Sequence, residues 1–157
     1  MQFVFCPVCA RELDGDSCPE GHFTFYDNPV PAVQGWVERD GEFLILKRAR
    51  EPQKGRWDMP GGFVEPGEHP EETVRRELME ETALSVVVER LVGVYPSVYG
   101  DTGKKTLDFA YRCRVEGGEF ALSDESRGSR WLALADFPEL AFAAERAAYA
   151  DLTRGRS

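Results

Sequence analysis

Three glutamates, Glu77, Glu80 and Glu81, stand at i, i+3 and i+4. On a helix this spacing gathers their carboxylates within about 100° of arc and one turn of height. Oxygen-only ligands of this kind suit a hard divalent cation, Mg²⁺ or Mn²⁺, which screens anionic substrates and makes water more acidic. Without a cation, like charges at these spacings cost roughly 0.2–0.5 kcal/mol per pair when exposed, and more in a cleft, where the effective dielectric falls. The three belong to a run with seven carboxylates against Arg75 and Arg76 between Glu65 and Glu81. Taken alone, such a helix is either a solvated face or a cation site.

A second set lies near the N-terminus. Cys6-Pro7-Val8-Cys9 is followed by Cys18 and His22. Three cysteines and a histidine offer four tetrahedral ligands to Zn²⁺. In a segment of about 28 residues such a metal supplies folding energy directly. The other reading is a set of loose, reduced cysteines; disulfides are not expected in a chain read as cytoplasmic. Cys113 stands apart in a predicted strand and reads as core.

These residues need elements to hold them. Pro70–Ala83 reads as a helix, with Pro70 suited to its first turn. Val74 and Leu78 share the side of the three carboxylates, so the acids border the stripe that faces the protein body. Ala32–Glu38 and Glu42–Lys47 read as strands joined by an Asp40-Gly41 hairpin, and Trp57–Met59 as a short strand after a polar loop over Arg48–Arg56. Ser85–Tyr95 and Thr106–Val115 are β-rich, Gly117-Gly118 marks a turn, and Trp131–Leu134 is a further strand. An Ala-rich helix over Ala141–Leu152 closes the chain, with a frayed tail from Arg154 to Ser157. The order β-β-β-α-β-β-β-α predicts an α/β (α+β) domain whose mixed sheet carries helices on both faces. Residues 1–28 form a separate segment ahead of a domain over 29–157.

The chain has 157 residues and a net charge of −9. That charge argues against nucleic-acid and anionic-membrane partners. Among the first 28 residues Arg11 is the one cation, against Glu12, Asp14, Asp16, Glu20 and Asp27, so this segment reads as structural or dimer-forming. A homodimer is compatible with this. No 18-residue apolar stretch and no basic, apolar leader are present, and the expected location is the cytoplasm.

Gly62, five residues, Glu68, seven residues, then Arg76-Glu77-Leu78-Met79-Glu80-Glu81 and Leu84 resemble the Nudix box. Six fixed residues at this spacing arise by chance in about one sequence in 10⁵. The approach Trp57-Asp58-Met59-Pro60-Gly61-Gly62-Phe63-Val64-Glu65 is similar too, and the resemblance runs from about Pro31 to Leu152. It implies a Nudix-type α/β/α sandwich that hydrolyses a phosphoanhydride bond. By the same resemblance Glu77, Glu80 and Glu81 hold Mg²⁺ or Mn²⁺, the Gly61 carbonyl is a further ligand, Arg76 orients the carboxylates, and Glu68 ties the loop to the helix start. The base is a box glutamate or a glutamate from a later loop; Glu125 is the candidate there, its alternative being a solvated loop acid. Lys47, Arg48, Arg50 and Lys54 are candidates for phosphate contacts, and Tyr95, Tyr99 and Phe109 for base stacking. Ala83 replaces the glycine of the pattern, which predicts a changed helix exit.

The N-terminal segment resembles the zinc ribbon found before some Nudix domains, including NADH pyrophosphatases, although Gly21 stands where a fourth cysteine is usual. The Ser-Gln-Pro-Trp-type motif of those enzymes is absent; Val94–Tyr99 stands in its place. The implied substrate is a small nucleotide, a nucleoside diphosphate linked to another group: ADP-ribose, NADH or a sugar nucleotide. Two other readings remain, a non-catalytic nucleotide-sensing regulatory module and an RNA-end decapping enzyme.

Overall fold

The computed structural model of the protein describes residues 3–155. Met1, Gln2 and the last two residues of the expected frayed tail, Arg156 and Ser157, lie outside the described residues. Among these residues seven strands and two α-helices follow in chain order: β1 Val30–Arg39, β2 Glu42–Arg48, β3 Trp57–Asp58, β4 Gly61–Phe63, α1 Pro70–Thr82, β5 Ser85–Val98, β6 Lys105–Gly117, β7 Ser126–Leu132 and α2 Ala143–Thr153, with a 3₁₀ turn at Leu134–Asp136 before α2. The sheet is mixed. Its order is β3-β2-β1-β6-β5, with β4 on β1 and β7 on β2. β1 and β6 run parallel over nine register pairs, from Val30↔Thr106 to Glu38↔Arg114, and every other pairing is antiparallel.

The burial pattern explains the layers. β1 is buried without interruption from Ala32 to Val37, as a central strand covered on both faces must be. Alternate side chains then divide between two cores. Val33, Val37, Leu44 and Leu46 pack with Val74 and Leu78 of α1. Trp36, Phe43 and Ile45 pack on the other face with Leu140 and with Ala148 of α2. The expected sandwich is therefore present. No helix among the described residues is long and apolar enough to cross a membrane.

Three differences from the expected elements have local causes. β4 forms over Gly61–Phe63 by pairing with Ala32–Gln34; a Gly-Gly pair has no strand propensity, so the pairing comes from tertiary context. β7 begins at Ser126 rather than Trp131, held by β2 from Phe43↔Leu132 to Arg48↔Ser126. The helix exit is not changed by Ala83. This residue adopts the left-handed conformation itself, φ 56° and ψ 18°, and its N–H donates to the Met79 carbonyl. A side chain in that region costs about 1 kcal/mol, which the surrounding contacts offset.

Before β1 the described residues make isolated bridges, Phe5↔Glu12, Asp14↔Ser17 and Ser17↔Thr24. Asp27 is joined to the sheet by an ion pair to Lys105.

Candidate functional site

α1 starts under tight control. His69 Nδ1 accepts from the Glu71 N–H at 3.2 Å, and the Glu72 carboxylate accepts from the His69 N–H at 3.0 Å. With the start fixed, Val74 and Leu78 are fully buried against the sheet, and Glu77 and Glu81 are drawn in beside them. Arg76 reaches back across the preceding loop. Its Nε and Nη2 donate to Glu68 at 2.9 and 3.0 Å, and its Nη1 donates to Glu77 at 2.8 Å and Glu80 at 3.3 Å. This hydrogen bonding holds the Glu68 carboxyl down to about 2.

The Pro60-Gly61-Gly62 segment lies against α1. The Pro60 carbonyl accepts from the Gly35 N–H at 2.8 Å, and the Gly61 N–H donates to Glu81 Oε2 at 2.9 Å. Gly61 is sterically required by backbone, and a side chain at Gly62 would displace the Glu77 carboxylate. A Cβ at Gly61 would lie 2.1 Å from the Val33 carbonyl oxygen, and one at Gly62 would lie 2.3 Å from Glu77 Oε1. Among the described residues no Lys or Arg pairs with Glu81. Burial, and secondarily the field of Asp58, push its carboxyl up to about 8. Glu77 is raised as well, chiefly by burial, against the opposing pull of Arg76.

These groups border one cleft of about 550 Å³. Glu77, Glu80, Glu81, Gly61, Arg50 and Glu125 all line it. Arg50 bonds Glu125 at 2.9 Å and Asp124 at 2.9 Å. Arg76 does not line the cleft and acts from behind, through its carboxylate partners. Of the basic candidates Arg48 and Arg50 reach the cleft, whereas Lys47 and Lys54 do not. Of the aromatic candidates only Tyr99 does. Tyr95 bonds Asp151 at 3.0 Å, and Phe109 packs against the α1-side core.

Several lining residues were not singled out in the sequence. Phe142 stacks on Tyr99 with ring centroids 5.1 Å apart, and Phe63 meets Tyr99 edge-on at 5.3 Å. Arg48 bonds the Tyr99 hydroxyl at 3.1 Å and the Asp58 carboxylate at 2.6 Å, and lies 5.0 Å from the Phe142 ring centroid. Asp58 is nonetheless raised to about 6, because burial outweighs Arg48. Glu145 of α2 is 4% exposed, and burial places its carboxyl well above the usual range. Phe63 and Asp58 sit in the recognised approach to the box, but nothing local marked Glu145.

The N-terminal set also converges. Ligand atoms of Cys6, Cys9, Cys18 and His22 all lie within 4.8 Å of one another. Among the described residues no other group of three or more metal-ligating side chains does so. Cys9 and Cys18 sulfurs are 3.6 Å apart, near the roughly 3.8 Å between two sulfurs on a tetrahedral zinc. The arrangement is compatible with bound zinc.

Comparison with known proteins agrees with this geometry. The NUDIX domain profile matches residues 28–152, so the chain belongs to the Nudix family, and it is a Nudix hydrolase. It is 39% identical over 124 residues to an ADP-ribose pyrophosphatase of Methanocaldococcus jannaschii, covering 79% of this chain and 73% of that one. It is 28% identical over 147 residues to the NAD-capped RNA hydrolase NudC of Pseudomonas syringae pv. tomato, covering 87% of this chain but spanning only 50% of that relative. A crystal structure of a NUDIX hydrolase from Nitrosomonas europaea superposes with a TM-score of 0.77 at 27% identity, covering 97% of this chain and 89% of that one.

Proposed function

We propose that the protein hydrolyses the phosphoanhydride bond of a nucleoside diphosphate linked to a second group, with Mg²⁺ or Mn²⁺ held by Glu77, Glu80, Glu81 and the Gly61 carbonyl. The observation that carries this reading is Glu81: a carboxylate sunk into the cleft wall, bonded to a backbone N–H and with no Lys or Arg paired to it among the described residues. A divalent ion held there would supply screening of the diphosphate charge and would make bound water more acidic. The chain's own residues supply the rest. Arg76 fixes Glu77 and Glu80 in orientation. Glu125, on the lining of the same cleft, takes the proton from the incoming water. Arg48 and Arg50 face the phosphates, and Tyr99 with Phe63 and Phe142 presents an aromatic wall to the base.

ADP-ribose is favoured as substrate by the name of the Methanocaldococcus relative. It would yield AMP and ribose 5-phosphate, and NADH would yield AMP and reduced nicotinamide mononucleotide. An RNA-end substrate has one observation in its favour besides the name of the Pseudomonas relative. Lys47 and Arg130 lie 5.4 and 4.9 Å from the Trp57 ring centroid, and neither joins an ion pair among the described residues. The deciding experiment compares kcat/KM for ADP-ribose, NADH, an NAD-capped oligonucleotide and a panel of nucleoside triphosphates at one Mg²⁺ concentration. A triphosphate winning by more than tenfold, about 1.4 kcal/mol in the transition state, rejects the substrate class. Tight binding without turnover of any compound would favour the regulatory-module reading.

Residues 1–28 are assigned as a structural zinc-ribbon unit and 29–157 as the hydrolase domain. The Cys₃His convergence and the start of the family match at residue 28 support this division.

A further inference from the structure

Glu145 sits in the third position of α2, where a glutamate commonly reaches back to the backbone N–H at the helix start. One oxygen does so: Oε2 accepts from the Phe142 N–H at 3.1 Å. The other crosses 86 residues of sequence, and Oε1 accepts from the Met59 N–H at 2.9 Å. The group is buried, with Asp58 as a second acid nearby. A surface cap would do the helix-start work without burying a carboxylate, which is costly when no cation pairs with it. The extra bond therefore needs a use beyond capping.

Met59 leads directly into the segment that faces the metal-binding glutamates. Two residues on, the Gly61 N–H donates to Glu81 Oε2 at 2.9 Å. Between them the Pro60 carbonyl is tied to the Gly35 N–H at 2.8 Å. The same end of α2 grips the segment a second time, through the Ala141 N–H to the Trp57 carbonyl at 2.8 Å. One short stretch of chain is thus held by a carboxylate from each helix, at N–H groups two residues apart. Glu81 and the Gly61 carbonyl can converge on an ion only if this stretch keeps its height in the cleft.

We propose that Glu145 is a positioning residue for the metal site, fixing the Met59–Gly61 backbone so that the Gly61 carbonyl and Glu81 stand in register. Both of its oxygens accept from backbone N–H groups. The inference rests on the proposed metal site, and the two fail differently. Wild-type protein without Mg²⁺-dependent turnover removes the metal site itself; wild-type turnover with unaffected Glu145 variants removes only the role of Glu145.

The test uses full-length Glu145→Gln, whose amide has one acceptor where the carboxylate has two, and Glu145→Asp, which is one methylene too short to keep both bonds. Expected for each is a kcat at least tenfold below wild type, a Mg²⁺ half-saturation raised at least threefold, and a nucleotide KM within twofold. A purely structural role lowers the melting temperature and leaves the Mg²⁺ half-saturation of the folded fraction at the wild-type value; that result overturns the proposal. If neither variant folds, ¹⁵N–¹H spectra of wild-type protein decide the matter. On Mg²⁺ titration the Met59 amide should shift together with that of Gly61, and an unmoved Met59 beside a shifting Gly61 overturns the proposal.

Discussion

The raised carboxyl of Glu81 makes metal affinity depend on pH in a definite direction. A glutamate must be ionised to hold a divalent ion, and burial keeps Glu81 protonated up to about 8 in the metal-free protein. A raised pKa favours the proton-bound form, so binding is weakened below the midpoint and strengthens as pH rises toward it. With the midpoint at 8, Glu81 is half ionised at pH 8 and about 1% ionised at pH 6, which lowers the apparent affinity about fifty-fold. A midpoint one unit lower still gives about tenfold. Glu77, raised by the same burial, acts in the same direction. The assay is Mn²⁺ binding to substrate-free protein, followed by electron paramagnetic resonance or calorimetry at pH 6, 7 and 8 and constant ionic strength. Glu81→Gln should bind more weakly and lose most of the pH dependence. A wild-type half-saturation constant within threefold from pH 6 to pH 8 would refute the argument from burial.

Replacing Ala83 by glycine removes the side chain from a left-handed residue, and thermal denaturation should show stabilisation of about 1 kcal/mol, roughly 2–4 °C; a lower melting temperature would contradict the strained exit. Protein purified without added zinc should carry one Zn²⁺ per chain and lose it in Cys9→Ser, as read by elemental analysis; near-zero zinc with freely titratable thiols in folded wild-type protein would remove the ribbon. Tyr99→Ala breaks both the stack on Phe142 and the bond to Arg48, and its KM for ADP-ribose should rise about tenfold, in line with 1–3 kcal/mol per stacked base. An unchanged KM would take Tyr99 out of the binding wall.

The parts of the site that were legible in the sequence are those written in short-range spacing. Glu77, Glu80 and Glu81 are fixed relative to one another by helical geometry, and Arg76 finds Glu77 and Glu80 on its own helix. The cysteine set is legible for the same reason, since its members lie within one short segment. The strands of β1 and β2 announce themselves by apolar runs about Asp40-Gly41. Glu145 is different. In an Ala-rich helix it reads as the polar side of a surface element, and only the bridge between Leu140, just ahead of α2, and Trp57 of β3 brings it to Met59. β4 and the early part of β7 owe their conformation to partners rather than to their own residues, Gly-Gly in one case and Ser-Arg-Gly-Ser in the other. Ala83 misled in the opposite sense, because an unfavourable residue is held in the conformation that glycine would adopt freely.

The central claim is that the box glutamates hold the ion that makes hydrolysis possible. The most direct measurement incubates ADP-ribose with the protein in ¹⁸O-water and reads the products by mass spectrometry, for wild type and for Glu81→Gln, with Mg²⁺ and with excess chelator. Wild-type protein with Mg²⁺ should give AMP and ribose 5-phosphate with one ¹⁸O in a product phosphate. Chelated wild type and folded Glu81→Gln should give at least a thousandfold less, about 4 kcal/mol in the barrier. Undiminished turnover in chelator, or in Glu81→Gln, would contradict the account.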